Sequence, residues 1–239
     1  MDRHHSQGAR EELLQGVQSG DWVPRVLPQL EDRDAARVSA VLVLFGVLDS
    51  IPASTTRPAV ARDLDVLLQR RASTLSSHPG QVSFPGGGRE PQDRDAIATA
   101  LREAEEETGL DPTGVEILAT LTDLPLAASN HLVTPVLAWW TKPSKVAAVD
   151  HAETVEVFRV PVAQLVDPAN RFRSVTRRGP ITFTGPAFDI GGTIMWGFTA
   201  MVLDRLFDAC GGLCRGTRRT NDPSHPEVDP SDQRRPAQR

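Results

Sequence analysis

Four glutamates crowd one short segment, REAEEETGL, at residues 102–110. In a helix Glu103, Glu106 and Glu107 would share one face, because they are three and four residues apart, while Glu105 would point elsewhere. Such a face is either solvated or holds a hard divalent cation, Mg²⁺ or Mn²⁺, whose preferred ligands are oxygen atoms. The segment alone leaves both interpretations open.

A run of three glycines, Gly86 to Gly88, precedes the acidic segment. Because glycine has no side chain, a backbone amide or carbonyl there can approach a metal ion or a phosphate directly. Pro85 stiffens the entry to the run. The glycines at this fixed distance from the acidic segment favour a cation site over a solvated face.

Hydrophobic periodicity indicates the elements that would position these groups. Apolar residues at three- and four-residue spacings predict a helix over 95–108, which ends at Gly109. A continuous, β-branched-rich run at 39–48 is typical of a buried strand. Further strands are predicted at 65–70, 114–121, 133–140 and 154–160, and a second long helix at 196–207. The pattern indicates an α/β fold with a sheet between helices.

The length of 239 residues suits one domain with flexible ends. We expect an N-terminal arm at 1–38, the domain at 39–210 and a disordered C-terminal tail at 211–239. From Gly216 onward the tail is polar and charged, and Val228 is its only aliphatic residue. It therefore cannot bury enough surface to offset its ordering entropy.

Charge and composition exclude several classes of partner. The net charge of -5 and pI near 5.7 do not indicate a basic surface for nucleic acid. The longest apolar run, 38–48, is well short of the roughly 20 residues that cross a bilayer, and no cleavable signal pattern is visible. We therefore expect a cytoplasmic protein without a membrane partner. Cys210 and Cys214 are expected to be reduced thiols, since further zinc ligands are not nearby.

The spacing of the glycine run and the acidic helix resembles the Nudix box, G-x5-E-x7-R-E-U-x-E-E-x-G-U, in which U is aliphatic. The matching residues are Gly88, Arg102, Glu103, Ala104, Glu106, Glu107, Gly109 and Leu110. Arg94 stands where the box has its first glutamate, and Asp93 and Asp95 flank that position.

A second resemblance lies upstream, in LLQRRASTLSSHPGQVSFPGG at 67–87. This segment resembles the coenzyme A pyrophosphatase signature L-L-T-x-R-S-x3-R-x3-G-x3-F-P-G-G. The matching residues are Leu67, Leu68, Arg71, Gly80, Phe84, Pro85, Gly86 and Gly87. Gln69, Ala72 and Ser76 occupy its Thr, Ser and second Arg positions.

The resemblance implies a Nudix-type α/β/α sandwich with a mixed β-sheet and a loop-helix-loop catalytic motif. It also implies Mg²⁺- or Mn²⁺-dependent hydrolysis of a nucleoside diphosphate linked to another group. The upstream signature implies that the substrate is coenzyme A or a derivative, which would give 3',5'-ADP and a phosphopantetheine product. Two alternatives stay open: hydrolysis of another nucleotide (an NDP-sugar, a dinucleotide or an oxidised nucleotide), and a ligand sensor without turnover.

The resemblance also assigns roles to residues of the acidic helix and the glycine run. Glu103 and Glu107 are the expected metal ligands, together with the backbone of Gly87. Glu106 is expected to be a third ligand or to orient the attacking water. Arg102 is expected to fix a carboxylate through a bidentate pair, and the alternative is an ordinary surface arginine.

Substrate binding is assigned to four residues of the upstream signature: Arg71, His78, Phe84 and Gly86. Arg71 is the candidate for a phosphate contact or else a surface charge at a strand end, and His78 contacts substrate or caps a turn.

Residues outside the two motifs leave further alternatives. Glu153 and Glu156 are candidate general bases or solvent-facing strand residues. Three tryptophans are expected in the core, namely Trp139, Trp140 and Trp196. A homodimer is left open.

Overall fold

A computed structural model describes residues 3–20, 23, 29–30, 32–47, 63–73, 80–178, 181–210 and 226–229. The chain divides into two compact units. One unit comprises residues 23–55 and 64–159 and contains the Nudix-box segment, so we call it the box unit. The other comprises 1–22, 56–63 and 160–239, and we call it the terminal unit because it contains both chain ends.

A mixed sheet forms the centre of the box unit. Its strands are β1 (Arg37–Val47), β2 (Leu64–Arg71), β3 (Val82–Ser83), β4 (Gly86–Gly88), β5 (Val115–Thr120), β6 (Leu124–Leu126), β7 (His131–Trp140) and β8 (Thr154–Pro161). The order is β3-β2-β1-β7-β5, and β4 pairs with β1, β6 with β7, and β8 with β2. Strands β1 and β7 are parallel, whereas β1 is antiparallel to β2 and β4. The predicted α/β class with a mixed sheet is confirmed.

The apolar run of β1 explains its central position. Leu42, Val43, Leu44 and Phe45 are all fully buried, which is the pattern of a strand covered on both faces. Strand β7 continues the same core through Trp139 and Trp140, which are also buried. These two tryptophans belong to the core, as the sequence predicts.

The acidic segment lies on helix α2 (Ala96–Thr108). Asp95 caps its start by accepting a hydrogen bond from the Ala98 amide at 2.8 Å, and Gly109 ends it in the left-handed conformation at φ 66°. Ala100 and Ala104 are fully buried in the core cluster that includes residues of β1, β2 and β7. These small side chains let the helix axis approach the sheet closely, which fixes the positions of the glutamates.

The terminal unit contains three helices and a second sheet among its described residues. The helices are α1 (Arg3–Gln18), α3 (Val162–Val166) and α4 (Gly197–Ala209). The strands are β9 (Arg171–Arg178), β10 (Ile181–Asp189), β11 (Ile194–Trp196) and β12 (Glu227–Val228), in the order β11-β10-β9-β12. Helix α4 is close to the predicted range, but the β9–β10 hairpin was not predicted.

The expected disordered tail contains one described exception, strand β12. It pairs with β9 in parallel, and Val228 is only 5% exposed, packed with Phe172, Ala187 and Ile194. Val228, the only aliphatic residue larger than alanine from Gly216 onward, therefore packs in an apolar cluster, and the structure differs at this strand from the expectation of disorder. The proposed boundaries of the arm, domain and tail stay predictions.

Two further expectations concern the membrane and the cysteines. In the described part of the chain, no helix combines the length and apolarity needed to cross a membrane. Cys210 is a buried thiol that donates to the carbonyl of Glu12 at 3.6 Å. Cys214 lies outside the described residues.

Candidate active site

The glycine run meets helix α2 at Gly87. A Cβ atom at this residue would lie 2.5 Å from both Cδ and Oε1 of Glu103, much closer than side chains approach one another. A side chain at this position would have to displace the Glu103 carboxylate, so glycine lets the backbone pass beside the carboxylate where it stands. The contact brings backbone polar groups of β4 next to a glutamate of the box.

Gly86 serves a different carboxylate of the same helix. Its φ of 153° belongs to the region that favours glycine, and a Cβ there would collide with the Ala40 carbonyl and with Val41. The Gly86 amide donates a hydrogen bond to Oε2 of Glu107 at 2.9 Å. The structure shows that Gly86 holds a glutamate in place, and its predicted role in substrate binding stays a prediction.

Glu107 is the most buried of the four glutamates, at 7% exposure. Its Oε2 accepts from the Gly86 amide and, at 2.6 Å, from Nε2 of Gln69. Its Oε1 lies 3.8 Å from Nη1 of Arg71. Burial raises the pKa of Glu107 to about 7, although these hydrogen bonds and Arg71 act in the opposite direction. The carboxylate is therefore held in a fixed orientation at a cost in solvation.

Glu103 lies one helical turn before Glu107 on the same face. Burial raises the pKa of its carboxyl group, and Arg102, which donates to Oε1 at 3.1 Å, opposes that rise. Two carboxylates with raised pKa values thus face the glycine run. Desolvated carboxylates of this kind gain stability when a cation binds.

Arg102 joins the loop before α2 to the helix. Its Nε and Nη2 donate to the two carboxylate oxygens of Asp93 at 3.1 and 3.0 Å, which is a bidentate pair. Nη2 also donates to the carbonyl of Gly88 at 2.9 Å. These bonds hold the pKa of Asp93 well below its usual range and raise that of Arg102. The geometry is that of a residue that fixes the loop.

Asp93 is a site residue that the sequence analysis missed. It is buried and also accepts from the Glu90 amide and the Thr99 hydroxyl, while Arg94, at the expected glutamate position, is exposed and pairs with Asp95 at 3.3 Å. The carboxylate that faces Arg102 thus comes one residue earlier than the box places its glutamate. In the sequence, only the spacing of nine residues between Asp93 and Arg102 could have indicated this pair.

Glu106 does not converge with the other two glutamates. Its side chain is 58% exposed, and Oε2 accepts from Nη1 of Arg102 at 2.9 Å. No three side chains of the Asp, Glu, His or Cys type are grouped to hold a metal ion among the residues that the structure describes. The expected convergence of three carboxylates is therefore not found among these residues. Arg102 donates to Glu106 and also to Glu103, and the role of Glu106 as a third ligand or as the residue that orients water stays a prediction.

The predicted substrate residues have three different outcomes. Arg71 is partly exposed at the end of β2 and faces Glu107. Phe84 is only 2% exposed and belongs to the core, which contradicts a substrate contact through its side chain. His78 lies outside the described residues.

Of the two candidate general bases, Glu156 lies on β8 and Glu153 lies in the turn that precedes it. Glu153 is exposed, and its carbonyl accepts from the Ala72 amide, which follows Arg71 in the chain. Glu156 is exposed and pairs with Arg70 at 2.8 Å. Glu156 is thus a solvent-facing strand residue and Glu153 a solvent-facing turn residue, and a role of either as general base stays a prediction.

The donor set fits a hard divalent cation. Glu103 and Glu107 supply carboxylate oxygens, and the absence of a Cβ at Gly87 leaves the backbone of the glycine run close to the Glu103 carboxylate. With two carboxylates in place of three, such an ion would complete its coordination with water or substrate oxygens, as Mg²⁺ usually does.

Comparison with known proteins gives a family match and a set of relatives. The NUDIX domain family matches residues 55–179. "Uncharacterized Nudix hydrolase NudL" of Photorhabdus laumondii is 36% identical over 145 residues, covering 59% of this chain and 74% of that protein. "Peroxisomal coenzyme A diphosphatase NUDT7" of Mus musculus is 37% identical over 147 residues, covering 60% of this chain and 61% of that protein.

Among solved structures, a MutT/nudix family protein from Enterococcus faecalis is similar with a TM-score of 0.45 and 17% sequence identity. The match covers 79% of this chain and 66% of that one.

Proposed function

Because the chain belongs to the Nudix hydrolase family, we propose that it hydrolyses the pyrophosphate bond of coenzyme A or a coenzyme A derivative. The resemblance inferred from the Nudix box is confirmed by the family match, and with it the Nudix-type fold and the assignment as a pyrophosphatase. The substrate, the metal and the roles of individual residues are the parts that we propose.

The observation that carries the proposal is the arrangement of two carboxylates and one arginine around the glycine run. Glu103 adjoins Gly87, Glu107 accepts from Gly86, and Arg71 lies 3.8 Å from Glu107. A pyrophosphate needs positive charge on its oxygens and a polarised water, and an arginine beside paired carboxylates supports both requirements.

Hydrolases of this family need a divalent metal ion, and we propose Mg²⁺ or Mn²⁺. Glu103 and Glu107 would hold it together with the backbone of Gly87. A bound ion would supply positive charge to the phosphate oxygens and lower the pKa of a water molecule. Arg102 keeps the loop and Glu103 in place, and Arg71 binds a substrate phosphate. Glu106, exposed and paired with Arg102, is available to orient water.

Two observations support coenzyme A within the class of nucleotide substrates. Eight residues of the upstream segment fit the coenzyme A pyrophosphatase signature, and one of them, Arg71, lies at the candidate site. The mouse relative is named as a coenzyme A diphosphatase. The expected products are 3',5'-ADP and a phosphopantetheine, acylated when the substrate is acylated.

A panel of substrates, assayed with and without Mg²⁺ and resolved by product chromatography, tests the proposal. It includes coenzyme A, an acyl-coenzyme A, an NDP-sugar, a dinucleoside polyphosphate and an oxidised nucleotide. We expect Mg²⁺-dependent release of 3',5'-ADP with the highest kcat/KM for a coenzyme A compound. If another nucleotide were hydrolysed with a higher kcat/KM, that nucleotide would replace coenzyme A as the assigned substrate. Tight binding without turnover would indicate a sensor.

An arginine variant tests the phosphate contact separately. Arg71→Ala is expected to raise KM for coenzyme A more than for a simple dinucleoside diphosphate, because a charge-assisted contact specific to the first substrate is lost. Arg70→Ala is the matched control, since Arg70 is the preceding residue and pairs with Glu156. Equal rises in KM for both substrates would contradict the assignment of Arg71 to coenzyme A.

The choice between Mg²⁺ and Mn²⁺, the cytoplasmic location and a homodimer all stay predictions.

A further inference from the structure

Gln69 is a fully buried polar residue in the middle of the candidate site. Its side-chain amide connects two elements: Nε2 donates to Oε2 of Glu107 at 2.6 Å, and Oε1 accepts from the Thr154 hydroxyl at 3.1 Å. The three residues therefore form one chain of hydrogen bonds from β8 through β2 to α2. Gln69 occupies the position where the coenzyme A pyrophosphatase signature has a threonine.

The direction of this chain is determined by the chemistry of its ends. An ionised carboxylate can only accept, so the amide must turn its NH₂ group toward Glu107. The amide oxygen then faces Thr154, whose hydroxyl hydrogen can rotate to donate. If the amide were flipped, its oxygen would lie against the carboxylate, although the Thr154 hydroxyl could then accept from the NH₂ group. Glu107 therefore selects the orientation of the amide, and Thr154 holds the amide in place through its oxygen.

The arrangement distinguishes the two oxygens of Glu107. Both close neutral donors, the Gln69 amide and the Gly86 backbone amide, bind Oε2. Oε1 receives neither of them and is oriented toward Arg71 at 3.8 Å. A carboxylate held through one oxygen in this way presents the other in a fixed direction, as hydrogen-bonded metal ligands commonly do.

We infer that Gln69, held in place by Thr154, is a positioning residue that holds Glu107 so that Oε1 is presented to the divalent cation. This inference rests on the proposed function, because it requires that Glu107 binds the metal. It goes beyond the family signature, whose threonine hydroxyl is only one bond from Cβ. The donor nitrogen of Gln69 is three bonds from Cβ, so a threonine at this position would not reach Glu107 without movement of the backbone.

Mn²⁺ binding to the full chain, measured by isothermal titration calorimetry without substrate, tests the inference. Gln69→Met keeps the length of the side chain and removes both hydrogen bonds, and it is expected to weaken Mn²⁺ binding by about 10- to 100-fold. Gln69→Thr should weaken it to a similar extent. Arg70→Met, on the same strand but paired with Glu156, is the control and should bind Mn²⁺ as the wild type does.

Thr154 provides a second, milder pair of variants whose fold is easier to preserve. Thr154→Val removes the hydroxyl and keeps the shape, so it should weaken Mn²⁺ binding, but less than Gln69→Met does. Thr154→Ser retains the hydroxyl and should restore most of the affinity. Because Thr154 acts through Gln69, the double variant Gln69→Met/Thr154→Val should be no weaker than Gln69→Met alone.

The outcomes separate this inference from the proposed function. A wild-type chain that binds no Mn²⁺ would overturn the proposed metal site and this inference with it. A wild-type chain that binds Mn²⁺, together with a folded Gln69→Met variant of equal affinity, would overturn only the positioning role. Equal binding by Thr154→Val and Thr154→Ser would remove Thr154 from the proposal, as would additive losses in the double variant.

Discussion

Around Arg102, carboxylates are balanced by a cation, whereas the close donors around Glu107 are neutral. Arg102 makes ion pairs with Asp93, Glu103 and Glu106. Glu107 accepts from the amides of Gln69 and Gly86, and its nearest cationic group in the described part of the chain, on Arg71, is 3.8 Å away. Arg102 lowers the pKa of Asp93, whereas burial raises the pKa of Glu107 and also that of Glu103, which Arg102 only partly opposes.

This contrast indicates where a metal ion has most to contribute. Neutral donors satisfy the hydrogen-bonding capacity of a buried carboxylate but do not cancel its charge, and an uncompensated buried charge is costly. A cation that binds beside Glu107 relieves that cost. Arg102 compensates the charges of Asp93 and Glu106, and its pair with Asp93 holds the loop against the helix, while Glu103 stays available to the cation. Glu106 and Glu107 are neighbours in the chain, but Glu106 pairs with an arginine and Glu107 is held by neutral amides.

The largest expected effect comes from removing the charge of Glu107. Glu107→Gln should lower kcat by at least about 10²-fold, on the order of 3 kcal/mol in the barrier, with excess Mg²⁺ restoring only part of it. Steady-state kinetics with a metal titration measures this. Glu105→Gln is the control, because that side chain is exposed, and it should retain near-normal activity.

The same assay on Glu106→Gln sharpens the comparison. Its loss should be smaller than that of Glu107→Gln, since Arg102 already compensates the charge of Glu106. An equal loss of activity in the two variants would mean that Glu106 leaves Arg102 in the active state. The residues around Arg102 and those around Glu107 would then not differ in the way described above.

The next largest effect is expected from replacing Arg102. Arg102→Met leaves Asp93 buried without its bidentate partner and frees the Gly88 carbonyl, so we expect a lower melting temperature and a rate reduced by about tenfold or more. Arg102→Lys should rescue little, because an ammonium group cannot make the forked pair. Thermal unfolding and kinetics of both variants measure this, and full rescue by lysine would show that only the charge matters.

The raised pKa of Glu107 predicts how the metal-free protein responds to pH. The folded-state pKa of about 7 lies above the ordinary value of 4.5, so the folded state holds the proton more tightly than the unfolded state. Stability should therefore fall as pH rises from about 4.5 to about 7.

Glu107→Gln removes this dependence. In EDTA at pH 8 the variant should be more stable than the wild type by about 1 to 2 kcal/mol, and the gain should disappear near pH 4. Urea unfolding at the two pH values measures the difference. A variant that is less stable than the wild type at pH 8 would contradict the interpretation of Glu107 as an uncompensated charge.

The smallest effect is expected outside the box unit. Val228→Ser should lower the free energy of unfolding by about 1 kcal/mol, because it puts a hydroxyl into a buried apolar contact. Turnover should not change, since no residue of the proposed site lies in the terminal unit. Denaturant unfolding and kinetics together test this, and unchanged stability would mean that β12 adds nothing to the fold.

The core of the box unit could be predicted from the sequence because its signals are local. The run of β1, the apolar face of α2 and the caps Asp95 and Gly109 each depend on neighbours in the chain. The β9–β10 hairpin was missed because its strands contain four arginines, a glycine and a proline in place of an apolar run.

The candidate site also has one part that depends on neighbours in the chain and one part that depends on contacts between distant residues. The spacing of Glu103 and Glu107 on one face is a property of the helix and was predicted. The bond between Gln69 and Glu107 joins residues 38 apart in the chain, and that between Thr154 and Gln69 joins residues 85 apart. These two hydrogen bonds form only when the sheet packs against helix α2, so the sequence alone could not show them. The pairing of Glu106 with Arg102 could not be predicted, because spacing alone does not show which partner a carboxylate has in the fold.

The hydrogen bond from the Gly86 amide to Glu107 makes that amide a spectroscopic reporter. Glycine amides resonate in a distinct nitrogen region of a proton–nitrogen correlation spectrum, and a proton donated to a carboxylate is shifted downfield. Changes in the charge on Glu107, by protonation or by a bound cation, should therefore move one resolvable peak. The peak offers a way to follow occupancy of the site in solution without any substrate.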